Sequence, residues 1–210
     1  MTSNEAPPQP SDTTAVIGLF AYCALAAMTR LAKDGDQAPN TRFHIDLATL
    51  ADRGYQRFRD FDFYADERGF SIAEAAGQYA GLFDELDQRT RPSNWWERCV
   101  KSYVIIGVFA DVLQELSARH QLFYRAENQW DLGQGVWVKK HLAPMTEADP
   151  QLAARLSLWG RRVAGETLGL VRATLFTYPE LAVDPDTADS IVAAATARHK
   201  KRMEEVHLKE

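Results

Sequence analysis

Residues 43–64 read FHIDLATLADRGYQRFRDFDFY, the centre of a helical pattern that runs unbroken from Thr41 to Arg68. Alternating steps of four and three along it select Phe43, Leu47, Leu50, Gly54, Arg57, Phe61 and Tyr64. That spacing keeps side chains on one helical face, as the inward seam of a bundle requires. Five of the seven are large and apolar, and the other two, Gly54 and Arg57, interrupt the seam at its middle. A helix this long with a single apolar seam needs partner helices to cover it.

The flanking sequence supplies them. A first helix is expected from Asp12 or Thr13 to Asp34, with the break made by Asp34, Gly35, Asp36 and Pro39. The second ends at Gly69, which suits a left-handed stop. Ser71-Ile-Ala-Glu74 is a capping box that opens a third, shorter helix fading near Thr90, ahead of Pro92. Asn94 to Glu97 caps a helix reaching about Arg119. Residues 122–141 read as a further helix, weakened by Gly133 and Gly135. Asp149-Pro150 and Asp184-Pro185 each place a capping acid before a proline, opening helices near 150–177 and 185–206. No alternating run is bounded by hairpin turns. The expectation is an all-α protein, a four-helix core with additional helices. Residues 1–12 form a Pro-, Ser- and Asn-rich tail expected to be disordered, and 13–206 form one helical domain.

Composition narrows the classes. The chain has 210 residues, of which 46% are hydrophobic and 25% charged, enough for one well-buried domain. A net charge of -5 without a basic stripe gives no strong nucleic-acid signal and no attraction to anionic membrane. Cys23 and Cys99 lie in apolar stretches and are read as buried thiols of a reducing compartment. The start carries no basic-then-apolar leader. Val16 to Ala32 is mostly apolar but short for a span, and suits a buried central helix. A cytoplasmic, non-membrane protein is expected.

The seam carries the chemistry. In di-iron carboxylate bundles a three-residue spacing on an inward face belongs to Glu-x-x-His, and here it reads Gly54-Tyr-Gln-Arg57. The stripe Val100, Val104, Gly107, Asp111 places one acid inside an apolar run. The stripe Phe123, Glu127, Trp130, Gln134, Trp137 gives an acid followed three residues later by a tryptophan, which cannot ligate. On the first helix the matching position falls within Ala24 to Ala27, and no acid lies between Val16 and Ala32. Of the six donors a di-iron site wants, at most two are found, Asp111 and Glu127.

The chain resembles the ferritin-like family of tRNA 2-methylthio-isopentenyladenosine hydroxylase-like proteins, common in actinobacteria. The resemblance covers about Val16 to Met203. It rests on Ala21-Tyr22 through Arg30-Leu31-Ala32, on Arg91-Pro92-Ser93-Asn94-Trp95 and on Lys101-Ser102-Tyr103-Val104. Leu158-Trp159-Gly160-Arg161-Arg162 with Gly165-Glu166, and Arg198-His199 to Met203, complete it. It implies a ferritin-like bundle, a di-iron centre in members that keep the ligands, and pairing into homodimers. Carried across, the first-helix glutamate falls at Ala24 and the Glu-x-x-His at Gly54 and Arg57. An acid is kept at or near Asp111, with Glu115 the other candidate; Glu127 matches the second acid, and its histidine falls at Trp130.

Arg57 has two readings. Its guanidinium snorkels to the surface, or it fills the space of a metal and pairs with Asp111, Glu127 or Glu166. Glu204-Glu205-Val206-His207 repeats the Glu-x-x-His spacing in a charged tail without partner ligands, and the five histidines do not cluster. Trp95-Trp96 is a packing pair under a loop or an exposed patch. Three functions compete: a metal-free, non-catalytic relative acting by binding or assembly; a di-iron hydroxylase of a modified tRNA base or small molecule; and a small-ligand binder using space left at Gly54 and Ala24. The absent donors favour the first, with no cofactor.

Overall fold

A computed structural model describes residues 11–123, 130–182 and 185–209. These contain eight α-helices and no strand: α1 Ser11–Asp36, α2 Thr41–Arg68, α3 Ile72–Gly77, α4 Asp84–Arg89, α5 Trp95–Arg119, α6 Gln134–Ala148, α7 Pro150–Thr177 and α8 Pro185–Glu204. The all-α expectation holds. The expected N-terminal tail and the Asp184 cap lie, in whole or large part, outside the described residues.

Caps written in the sequence set most boundaries. Asn40, Ser71 and Asn94 accept from the backbone N–H of Phe43, Glu74 and Glu97 respectively. Gly69 ends α2 at φ 72°, the left-handed stop expected there. Asp149 accepts from both Gln151 and Leu152 at the start of α7, with Pro150 in the first turn. Asp149→Ala is expected to cost about 1 kcal/mol, read as a lower urea midpoint at unchanged slope.

Two boundaries differ from expectation. The helix after Ser71 is two short ones, α3 and α4, because the chain turns between them through Gly81 at φ 80°. The helix expected at 122–141 begins only at Gln134 and runs on to Ala148. Left-handed backbone at Gln121, Phe123 and Gly133 breaks the helical path before it.

α1 and α2 pack as an antiparallel pair, and α5 pairs with α7. α5 joins the two pairs and is buried around most of its circumference, while α8 lies against both α5 and α7. The α2 seam faces inward as expected: Leu47, Leu50, Gly54 and Phe61 are buried, and Phe43, Arg57 and Tyr64 half-buried. α1 is long and apolar enough to cross a membrane by length and composition, but Val16, Ile17, Phe20, Ala24 and Leu31 are spent inside the protein. Cys23 and Cys99 are free and buried, and burial raises both thiol pKa values. Trp95 packs against Phe43 and Trp137, under α2 and α6. On the outer face of α7, Leu158 and Phe176 stay exposed, with open space above Gly165 and Gly169 between them.

Candidate functional site

Aromatic rings surround Trp130, one of the positions at which the resemblance puts a ligand. Trp130 is 6% exposed; its ring stacks on Phe61 at 5.5 Å and meets Phe20 edge-on at 4.6 Å. Phe123 closes on Phe61 from another side at 5.2 Å. Four aromatic rings from α1, α2 and the chain before α6 thus fill this part of the bundle. Ala24, Arg57 and Trp130 do converge, on an apolar cavity of about 40 Å³. That is room for about one water molecule.

Gly54 does not face that cavity. A Cβ added there would lie 3.1 Å from the Met28 backbone nitrogen and 3.2 Å from its Cα. The missing side chain is what lets α1 and α2 approach closely, so no pocket remains at Gly54, contrary to the space expected there.

Arg57 takes an intermediate position. Its side chain is 34% exposed, its guanidinium sits 6.0 Å from the Trp130 ring centre, and Nη1 donates to Asp60 of its own helix at 3.3 Å. The expected pairing with Asp111 or Glu166 is not what forms, because other arginines hold those acids. Arg202 of α8 donates to Asp111 at 2.6 Å, and Arg89 of α4 to Glu166 at 3.2 Å. Glu127 lies outside the described residues.

The acids of α5 serve α8. Asp111 is largely buried beside Arg202, and Glu115, one turn on, accepts from Arg198 at 2.7 Å. Burial raises the Asp111 carboxyl above its ordinary pKa, and Arg202 and Arg198 pull it back only in part. Gly107 makes the seat: Arg202 lies across it, donates to its carbonyl at 3.1 Å, and would meet an added Cβ at 2.5 Å.

A second polar group escaped the sequence reading. Arg30 of α1 grips Asp87 with two hydrogen bonds of 2.8 and 3.0 Å, and buried Lys101 of α5 adds a third contact at 2.7 Å. Nearby, buried Asp34 accepts from Ser102 and from Arg98. The signal was present: a cation inside each of the two most apolar helices, at Arg30 and Lys101, which burial permits only with a partner.

His199 of α8 is fully buried, and burial, reinforced by Arg202, pushes its pKa down to about 4. The unfolded chain, with an ordinary histidine near 6.5, binds the extra proton first. His199 therefore contributes stability that is present above pH 6.5 and lost as pH falls to about 4, on the order of 2 kcal/mol. Asp34 and Asp111, whose pKa values are raised, act in the opposite direction. Comparing urea midpoints of wild type and His199→Gln between pH 7 and pH 4.5 isolates the histidine: the wild type is expected to lose more.

Among the described residues no three His, Cys, Asp or Glu side chains gather as a metal would need. The family model described as "Ferritin-like domain, actinomycetes" matches residues 11–196. The chain belongs to that family. No curated protein matches it. The ferritin-like domain thus spans α1 through most of α8, and inside it Phe20 and Phe61 pack against Trp130.

Proposed function

We propose that this ferritin-like domain is metal-free and non-catalytic, and acts by binding or assembly in the cytoplasm. One observation supports the reading: Trp130, at a position where the resemblance puts a histidine, is packed by Phe20 and Phe61, and the guanidinium of Arg57, at another such position, lies 6.0 Å from its ring. Oxygen activation needs open positions on an iron held by such donors, and rings offer no lone pairs to it. Exposed Leu158 and Phe176 on α7 support a role in assembly, and a homodimer is the proposed state. The test is oxygen uptake on adding ferrous iron to the anaerobic protein and admitting air. Uptake equal to a protein-free blank is expected; a fast phase scaling with protein concentration would restore a hydroxylase acting on a modified tRNA base or small molecule. The third reading, a ligand held in the bundle core, has little room. Its cavity of about 40 Å³ is far below the roughly 300 Å³ where small-molecule pockets begin.

A further inference from the structure

A cleft of about 380 Å³ lies outside the bundle core, where α1 meets α4 and the first turns of α5. Its charged wall is built on Arg30, Asp87 and Lys101. Arg30 alone satisfies Asp87, with Nη1 on Oδ1 at 2.8 Å and Nη2 on Oδ2 at 3.0 Å, and so ties α1 to α4. Lys101 of α5 then brings a second cation to the oxygen already taken, at 2.7 Å, from a side chain only 8% exposed. An ammonium has three donors, and Asp87 is the acceptor that Lys101 meets among the described residues. Burial lowers the Lys101 pKa, and Asp87 restores it only in part. A tie between α4 and α5 explains one of the three donors; it does not explain the other two.

Positive charge is in surplus on this wall. Arg98, 30% exposed, spends Nη1 on buried Asp34 at 3.2 Å, and Ser102 donates to the same carboxylate. Three cations, Arg30, Arg98 and Lys101, thus stand against two acids, Asp34 and Asp87. Burial raises the Asp34 carboxyl above its ordinary pKa, which makes it the weaker counter-charge. Lys33 and Asp84, neither in an ion pair among the described residues, also line the cleft and offset each other. The rest of the wall is apolar. Leu25 and Ala26 of α1 are half-buried, and Phe83 stacks on Tyr22 with ring centres 6.0 Å apart. A buried cation is tolerated when it is paired and hydrogen-bonded, so this wall is complementary to one further negative group.

We propose that this cleft binds a small organic anion, an acid group on an apolar body, with the acid group at Lys101 and Arg98 and the body along Leu25, Ala26 and Phe83. The volume lies within the range of small-molecule sites. The site is separate from the bundle core, so its occupancy does not depend on whether the core retains iron.

The test is an NMR titration of the full chain that follows the backbone amides of Leu25, Thr29 and Lys33, using sodium benzoate and phenyl phosphate at constant ionic strength. A saturable shift with at least one of them is expected. Benzoate alone marks a carboxylic acid as the ligand class, phenyl phosphate alone a phosphate ester, and both a site that reads charge and body without reading the acid group. Acetate and inorganic phosphate carry the charge without the body and are expected to bind at least tenfold more weakly. Lys101→Met is expected to abolish the saturable shift, and Thr29→Glu to weaken binding at least tenfold. Thr29→Glu keeps the test independent of folding, because Thr29 is exposed where it lines the cleft and glutamate is the better helix former. Shifts that stay linear with both aryl anions, acetate or inorganic phosphate binding as tightly as they do, or unchanged affinity in Thr29→Glu, would overturn the proposal.

Discussion

Gly18→Ala is expected to destabilise the protein by about 3 kcal/mol or more, although alanine is the better helix former by about 1 kcal/mol. The added methyl would lie 2.1 Å from the Ala75 carbonyl oxygen and 2.5 Å from its carbon, so it meets backbone and not a side chain that can swing aside. α3 has little freedom to retreat. Tyr79 donates to the Ala15 carbonyl at 2.9 Å, and Tyr22 accepts from Gly81 at 3.0 Å, tying the α3–α4 segment to α1 at two points. Gly165→Ala is the control with opposite sign. Nothing lies within 4 Å of its Cβ position, so the propensity gain is expected to appear as up to about 1 kcal/mol of added stability. Urea unfolding at fixed pH measures both, and a Gly18→Ala midpoint equal to wild type would contradict the close packing of α1 on α3.

Phe61→Ala is expected to cost about 4 kcal/mol, the range for removing a buried phenylalanine from a packed core. Phe61 is 1% exposed and is the ring that touches all the others, with Phe20 at 5.8 Å, Trp130 at 5.5 Å and Phe123 at 5.2 Å. Its loss removes both the buried area and three ring contacts. The rings around it come from different elements, so they cannot all collapse inward together. A cost below about 1 kcal/mol in urea unfolding would mean that the aromatic cluster is not what fills this part of the bundle.

Local chemistry was legible in the sequence, and contacts between distant elements were not. The α2 seam, the Ser71, Asn94 and Asp149 caps and the Gly69 stop all depend on neighbours within a few residues, and they stand as read. The seam also identified Gly54 and Arg57 as the odd members, yet could not say why. Gly54 is small because the Met28 backbone passes over it, a fact about α1. Asp111 was singled out, but its partner is Arg202, 91 residues away, received on the surface that Gly107 leaves bare. Pairing it with Arg57 assumed that a charge in a seam finds its counter-charge in the same space. The delayed start of α6 had a signal in Gly133 and Gly135, but left-handed backbone at Gln121 and Phe123, which are not glycines, is set by surroundings that propensity does not describe.

The most direct measurement is the iron content of the purified chain after anaerobic reconstitution with ferrous iron and removal of the excess. The bundle proposed here as metal-free, with Ala24, Gly54, Arg57 and Trp130 at positions where the resemblance puts ligands, is predicted to retain no stoichiometric iron. Retention approaching two irons per chain would contradict the account and return the protein to the di-iron enzymes.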